Sequence, residues 1–139
     1  MASIFTQIIR GELPSVKVLE TEHELAFLDI RPFSEGHTLV VPKREVASFD
    51  ELDPEELRSL ITTVQIVAKG VSKAMETPHY NVSLNNGAPA GQIIFHVHFH
   101  VIPRYEGQDR SRVRNVYSDG QMESVGEKIR KAIESLNRG

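Results

Sequence analysis

Three histidines recur at alternate positions in the run Ile94-Phe95-His96-Val97-His98-Phe99-His100-Val101-Ile102. On a β-strand, His96, His98 and His100 share one face, and Phe95, Val97, Phe99 and Val101 share the other. Burying three imidazoles costs far more than burying three valines unless each ring finds partners, so the histidine face is expected to meet solvent or a ligand. A shared metal is a poor match. Side chains at i and i+4 on a strand start about 13 Å apart, too far to converge on one ion through Zn–N bonds of about 2.1 Å. A phosphate, with several oxygens spread over its length, suits a row of donors better. The segment just before, Asn85-Asn86-Gly87-Ala88-Pro89-Ala90-Gly91-Gln92, fits that ligand. Gly87 and Gly91 let backbone N–H groups approach closely, and Asn85 and Gln92 add amide donors.

The elements that must hold these residues are legible around them. Asp53-Pro54-Glu55-Glu56 reads as an N-cap, a first-turn proline and a capping box. Leu57, Leu60, Ile61, Val64, Val67, Val71 and Met75 then form a helical stripe that ends before Pro78. A second amphipathic helix spans about residues 121–137, with Met122, Val125, Ile129, Ala132, Ile133 and Leu136 on one face and Gly139 just beyond. Ile4, Ile8 and Ile9 predict a short helix over 4–9. Short β-branched runs bounded by turn residues predict strands at 16–21, 24–29, 38–42, 80–84 and 95–102, the first two forming a hairpin near Glu22 and His23. Strands in succession on either side of the long helix predict an α+β fold: a five-stranded, mainly antiparallel sheet with one long central helix, a short N-terminal helix and a C-terminal helix.

Composition narrows the function. The 139 residues include 16 Lys and Arg against 19 Asp and Glu, a net charge of −3 that argues against duplex nucleic acid as a partner. Zero cysteines among the 139 exclude thiolate chemistry and disulfides, leaving the six histidines as the unusual feature. No apolar run approaches the about 20 residues needed to span a bilayer, so a membrane partner is not expected and a cytoplasmic location is the default.

The run His96-Val97-His98-Phe99-His100-Val101-Ile102 resembles the signature of the histidine triad (HIT) superfamily. Residues 3–14, Ala26-Phe27-Leu28-Asp29-Ile30, Gly36-His37-Thr38-Leu39-Val40-Val41-Pro42-Lys43 and 85–92 resemble its Hint-like bacterial branch in order and spacing. The resemblance implies one HIT domain over 1–139 that acts as a homodimer on a purine, AMP-type nucleotide, with no cofactor. It implies cleavage at the α-phosphate of a nucleoside phosphoramidate or related dinucleotide through a nucleotidyl-histidine. His98 would be the nucleophile, His96 and His100 would orient phosphate oxygens, and His37 would belong to a proton relay near the leaving group. Gln92 and backbone N–H groups from Gly91 through Ile93 to Ile94 would hold the phosphate, Asp29 the ribose, and Asn85 the ribose or phosphate edge. Ile4, Phe5, Ile8, Phe27, Leu28, Ile30 and Leu39 would line the base pocket. The alternative is a non-catalytic nucleotide-binding or interaction module of the same fold. Many bacterial members hold a structural zinc through two cysteines, a later histidine and the first triad histidine. Ser3, Thr6 and Glu45 occupy the first three of those positions here, so no metal is expected. Arg110, Arg112 and Arg114 read as a solvated basic loop, the alternative being that one of them reaches a polyphosphate or the partner subunit's site, and His23 and His79 read as surface residues.

Overall fold

The computed structural model describes residues 1–110 and 113–137. In chain order it contains α1 (Ile4–Ile9), β1 (Lys17–Glu20), β2 (Glu24–Leu28), β3 (Thr38–Pro42), α2 (Pro54–Ala74), β4 (Tyr80–Leu84), β5 (Phe99–Pro103) and α3 (Gln121–Asn137). The five strands form one sheet in the order β1-β2-β3-β5-β4, every neighbouring pair antiparallel. The expected α+β architecture is therefore the observed one.

Alternation along the central strands assigns their two faces. Ala26, Leu28, Val40 and Val101 point to the side covered by α2 and α3, where Leu60, Val64, Val67, Val71, Val125, Ile129 and Ile133 complete the main core. Leu25, Phe27, Leu39 and Val41 point the other way and are covered by Phe5 and Ile8 of α1. Each such aliphatic or aromatic side chain gains about 1.5–3 kcal/mol on full burial, which is why β2 and β3 are buried along their whole length. The helix α2 begins as its sequence requires. The Asp53 carboxylate accepts from the Glu56 N–H at 2.8 Å, and the Glu56 carboxylate accepts from the Asp53 N–H at 3.1 Å. It is tied to β2 by a buried acid that sequence patterning did not single out. Ser59 and Thr63 donate to the Glu24 carboxylate at 2.6 and 2.7 Å, joined by Thr21 at 2.7 Å. Burial alone would raise the Glu24 pKa, but these three donors outweigh it and hold the group below the usual carboxylate range.

One element departs from expectation. Regular pairing of the last strand begins at Phe99, not at residue 95, and residues 93–98 run irregularly. The Val97 N–H leaves the ladder to donate to the Val46 carbonyl at 2.8 Å, and Phe95, expected on the covered face, is 53% exposed. The ends of β1 and β2 are also shorter than 16–21 and 24–29 by one or two residues. Gly139 lies outside the described residues.

The two helices over the sheet meet through Gly70, where an added Cβ would stand 2.4 Å from Ile133 Cγ1. Alanine has the better helix propensity, but overpacking outweighs it. Gly70→Ala is expected to lower stability by about 1–3 kcal/mol in urea unfolding; a variant as stable as the parent would show that the α2–α3 contact yields without strain.

Candidate functional site

On the α1 side of the sheet a cavity of about 1000 Å³ opens between α1, the ends of the strands and the loop before β5. Its lining falls into three parts. Ile4, Phe5, Ile8, Phe27, Ile30 and Leu39 form an apolar slot. His98, His100, Asn85, Gly91, Ile93 and Ile94 surround a polar mouth. Asp29, Arg31 and Arg114 stand at the side, with Asn81, Ser83 and Arg104 along the outer strands. Leu28 also lines the cavity as expected, although its side chain belongs to the core on the opposite face.

Backbone carbonyls and amides settle which ring nitrogen carries each proton, because a carbonyl can only accept and an amide N–H can only donate. His98 Nδ1 lies 2.8 Å from the His96 carbonyl and must be its protonated nitrogen, which leaves the Nε2 lone pair free. The Phe33 N–H donates to His37 Nδ1 at 3.0 Å, so His37 is protonated at Nε2. That nitrogen donates to His100 Nδ1 at 2.9 Å, which puts the remaining His100 proton on Nε2. A lone pair on His98 and an N–H on His100 are thus presented by rings whose centroids are 5.0 Å apart.

All these rings are held neutral. Burial lowers the His98 pKa, against the opposing pull of the His96 carbonyl and the Asp29 charge. Burial, then the neighbouring His98 and Arg114, takes His100 down to about 4, and burial with His100 and Arg114 takes His37 to about 2. His37 is fully enclosed behind His100 and stacked on Phe33 at 5.4 Å. With Nδ1 accepting from a backbone amide and Nε2–H donated to His100, His37 fixes the remaining donor on His100.

Two expectations are corrected. His96 does not face the cavity. Its Nε2–H donates to the Pro42 carbonyl at 2.8 Å and its Nδ1 accepts from Ser3 Oγ at 2.7 Å, so no ring donor remains for a phosphate. Gln92 is also fully used inside the loop, accepting from the Gly87 N–H at 2.8 Å and donating to the carbonyls of Ala47 at 2.9 Å and Ile94 at 3.1 Å. It shapes the loop whose Gly91 and Ile93 reach the mouth. Asp29, Asn85, Ile30, Ile93 and Gly91 do line the cavity as expected, and His23 and His79 are exposed.

Arg114, favoured as part of a solvated loop in the sequence, stands at the cavity. It is not a freely solvated residue: its Nη1 donates to Asp29 Oδ2 and to the Arg31 carbonyl, both at 2.8 Å, and its guanidinium lies 4.1 Å from the Phe33 ring centroid. Asp29 and Arg114 are 85 positions apart, and no local pattern marks such a pair. Arg110 also lines the cavity, while Arg112 lies outside the described residues. Asp29, His37 and His100 approach closely enough to suggest a cation site. Their protons argue otherwise, since His37 Nε2–H points at His100 and a guanidinium already neutralises Asp29.

Comparison with known proteins gives the family. Residues 10–107 match the family model described as the HIT domain, and the chain belongs to that family. An uncharacterised HIT-like protein of Methanocaldococcus jannaschii is 46% identical over 88% of this chain and 97% of its own. An adenosine 5′-monophosphoramidase of Schizosaccharomyces pombe is 46% identical over 75% of each chain. The crystal structure of a zinc-bound histidine triad family protein from Mycobacterium smegmatis superposes with a TM-score of 0.90 at 33% identity, over 99% of this chain and 97% of that one.

The neutral rings carry a consequence for stability. Below pH about 6.5 the unfolded chain protonates its histidines, whereas folded His100 resists to about 4 and His37 to about 2. The unfolded state then binds more protons, so stability falls with pH, on the order of 1 kcal/mol per pH unit for each ring. Thermal unfolding is expected to be level from pH 8 to 7 and to shift downward between pH 6.5 and 5, before most carboxylates titrate. Superimposable melts at pH 7 and 5 would contradict the assignment.

Proposed function

We propose that the chain is a nucleotide hydrolase or transferase that acts at the α-phosphate of a purine nucleoside phosphoramidate or related nucleotide. The observation that carries this reading is the free Nε2 lone pair of a neutral His98, set at the mouth of a cavity with an apolar slot on one side and a carboxylate on the other. The slot suits a purine, and Asp29 suits the ribose hydroxyls. His98 Nε2 attacks the α-phosphorus; a P–N bond to His98 forms as the bond to the leaving amine breaks, and the amine leaves with that electron pair and a proton from solvent. The His98 ring becomes cationic and keeps its Nδ1–H on the His96 carbonyl. Water then attacks phosphorus, expels Nε2 with its electron pair and gives its spare proton to solvent. His100 Nε2–H, with backbone N–H groups of the loop, is placed to hold the phosphoryl oxygens while charge builds there. The monophosphoramidase named among the relatives supports the substrate class. A homodimer is part of the same reading, supported by the unpaired outer edge of β4, where Tyr80 and Val82 are exposed.

Purified protein incubated with adenosine phosphoramidate is expected to release adenylate, and His98→Asn to abolish release while retaining adenylate binding. Hydrolysis that persists in the variant would remove His98 as nucleophile; binding without turnover in the parent would favour the non-catalytic nucleotide-binding module. Asp29→Ala is expected to raise KM about tenfold or more with a smaller effect on kcat, the cost of losing hydrogen bonds to a charged acceptor. An unchanged KM would place the sugar elsewhere.

A further inference from the structure

The positions at which the family resemblance implies a structural zinc in many bacterial members are joined here by hydrogen bonds to one another. Ser3 and Thr6 belong to the first turn of α1, Glu45 to the segment after β3, and His96 to the triad segment. Glu45 Oε1 accepts from the Ser3 N–H at 2.8 Å and from the Thr6 hydroxyl at 2.6 Å. Ser3 Oγ accepts from the Thr6 N–H at 3.0 Å, capping α1. Because His96 spends its only proton on Pro42, its Nδ1 must accept, and the Ser3 hydroxyl must donate to it. Thr6 has likewise given its proton to Glu45, so the 3.3 Å approach of the two hydroxyl oxygens carries no proton and is a contact between acceptors. Every proton is assigned once and the direction of each bond follows.

This donor set does not fit zinc. Two neutral hydroxyls are poor ligands beside thiolates, and the imidazole nitrogen that faces them is already taken. The set nevertheless joins the same three stretches of chain that a metal would join. We infer that Ser3, Thr6, Glu45 and His96 form a metal-free latch that fastens α1 to the triad segment, and that Glu45 is the positioning residue on which it closes. The latch bears on the site through two contacts. Phe5, held by α1, lies edge-on to His98 at 5.0 Å and to His96 at 5.7 Å. His96 in turn supplies the carbonyl that orients His98. With the latch open, α1 and the apolar slot lose their register against the nucleophile. Glu45 sits outside the cavity and touches no reacting atom, and its own ionisation is favoured by the donors that close on it, the Ser3 N–H foremost.

The test uses three readouts on the whole chain. After dialysis against zinc and passage over a desalting column, the parent is expected to retain no stoichiometric zinc, and a chelator is expected to leave Tm unchanged. Glu45→Ala is expected to lower Tm and weaken adenylate binding about tenfold, whereas Glu45→Gln, whose amide oxygen can still accept both bonds, should stay within about twofold of the parent. Ser3→Cys, Thr6→Cys and Glu45→His together are expected to bind one zinc and to recover the parent's Tm when loaded. The affinity readout rests on the nucleotide reading above; the zinc and Tm readouts do not, so the two can fail separately. One tightly held zinc in the parent, or a Glu45→Ala protein identical to the parent in Tm, would overturn the latch. If Glu45→Ala is insoluble, Thr6→Val removes the same bond and is read against the same outcomes.

Discussion

The site depends on one hydrogen bond, from His98 Nδ1 to the carbonyl of His96 two residues earlier. A regular strand cannot make it, because carbonyls there lie in the sheet and are spent on the ladder while side chains stand off its faces. Residues 93–98 therefore leave the sheet before β5 begins, and the backbone groups they release need other partners. The Val97 N–H finds the Val46 carbonyl, and side chains of the same region are held by the end of β3 and the segment after it, Pro42 accepting from the His96 ring and Ala47 from the Gln92 amide. The irregular stretch is thereby tied down at Val97, His96 and Gln92, and the proton on His98 has the His96 carbonyl as its place.

A second constraint is charge. Three imidazoles and a carboxylate crowd the end of the sheet, and imidazolium ions there would repel one another. Burial is the largest factor keeping His37, His98 and His100 neutral, and the Arg114 guanidinium adds to it. Asp29 works in the opposite direction on His98, and Arg114, paired with Asp29, offsets part of that pull. The arginine also lies on Phe33, which stacks on His37, so the cation, the aromatic ring and the imidazole form one column behind His100.

How much of this the sequence carried differs by residue. The capping box at Asp53 and the bounds of α3 are local, and local signals found them. The alternation of 94–102 located the site but misplaced its first half, since a two-residue period cannot reveal that Val97 will bond to Val46 and that Phe95 will turn to solvent. His96 and Gln92 carry site-like chemistry in the sequence and are spent on the scaffold in the structure, a difference visible only once every donor and acceptor is counted. Glu24 and Arg114 act through partners 35 to 85 positions away, and no spacing rule reaches that far.

The same accounting explains why α1 can serve both as core and as cavity wall. Six residues cannot form a stable helix alone, because the nucleation cost is not recovered in so few bonds. Its order is conferred by the Ser3 cap, by Phe5 and Ile8 sinking onto Phe27 and Leu39, and by the hydroxyls tied to Glu45 and His96. Phe5 and Ile8 pack against the sheet and also wall the apolar slot. A ligand entering that slot would bury what remains exposed of α1, so binding and local folding at this edge draw on the same contacts. Ile4, half exposed at the rim, is the residue of α1 through which this surface meets solvent.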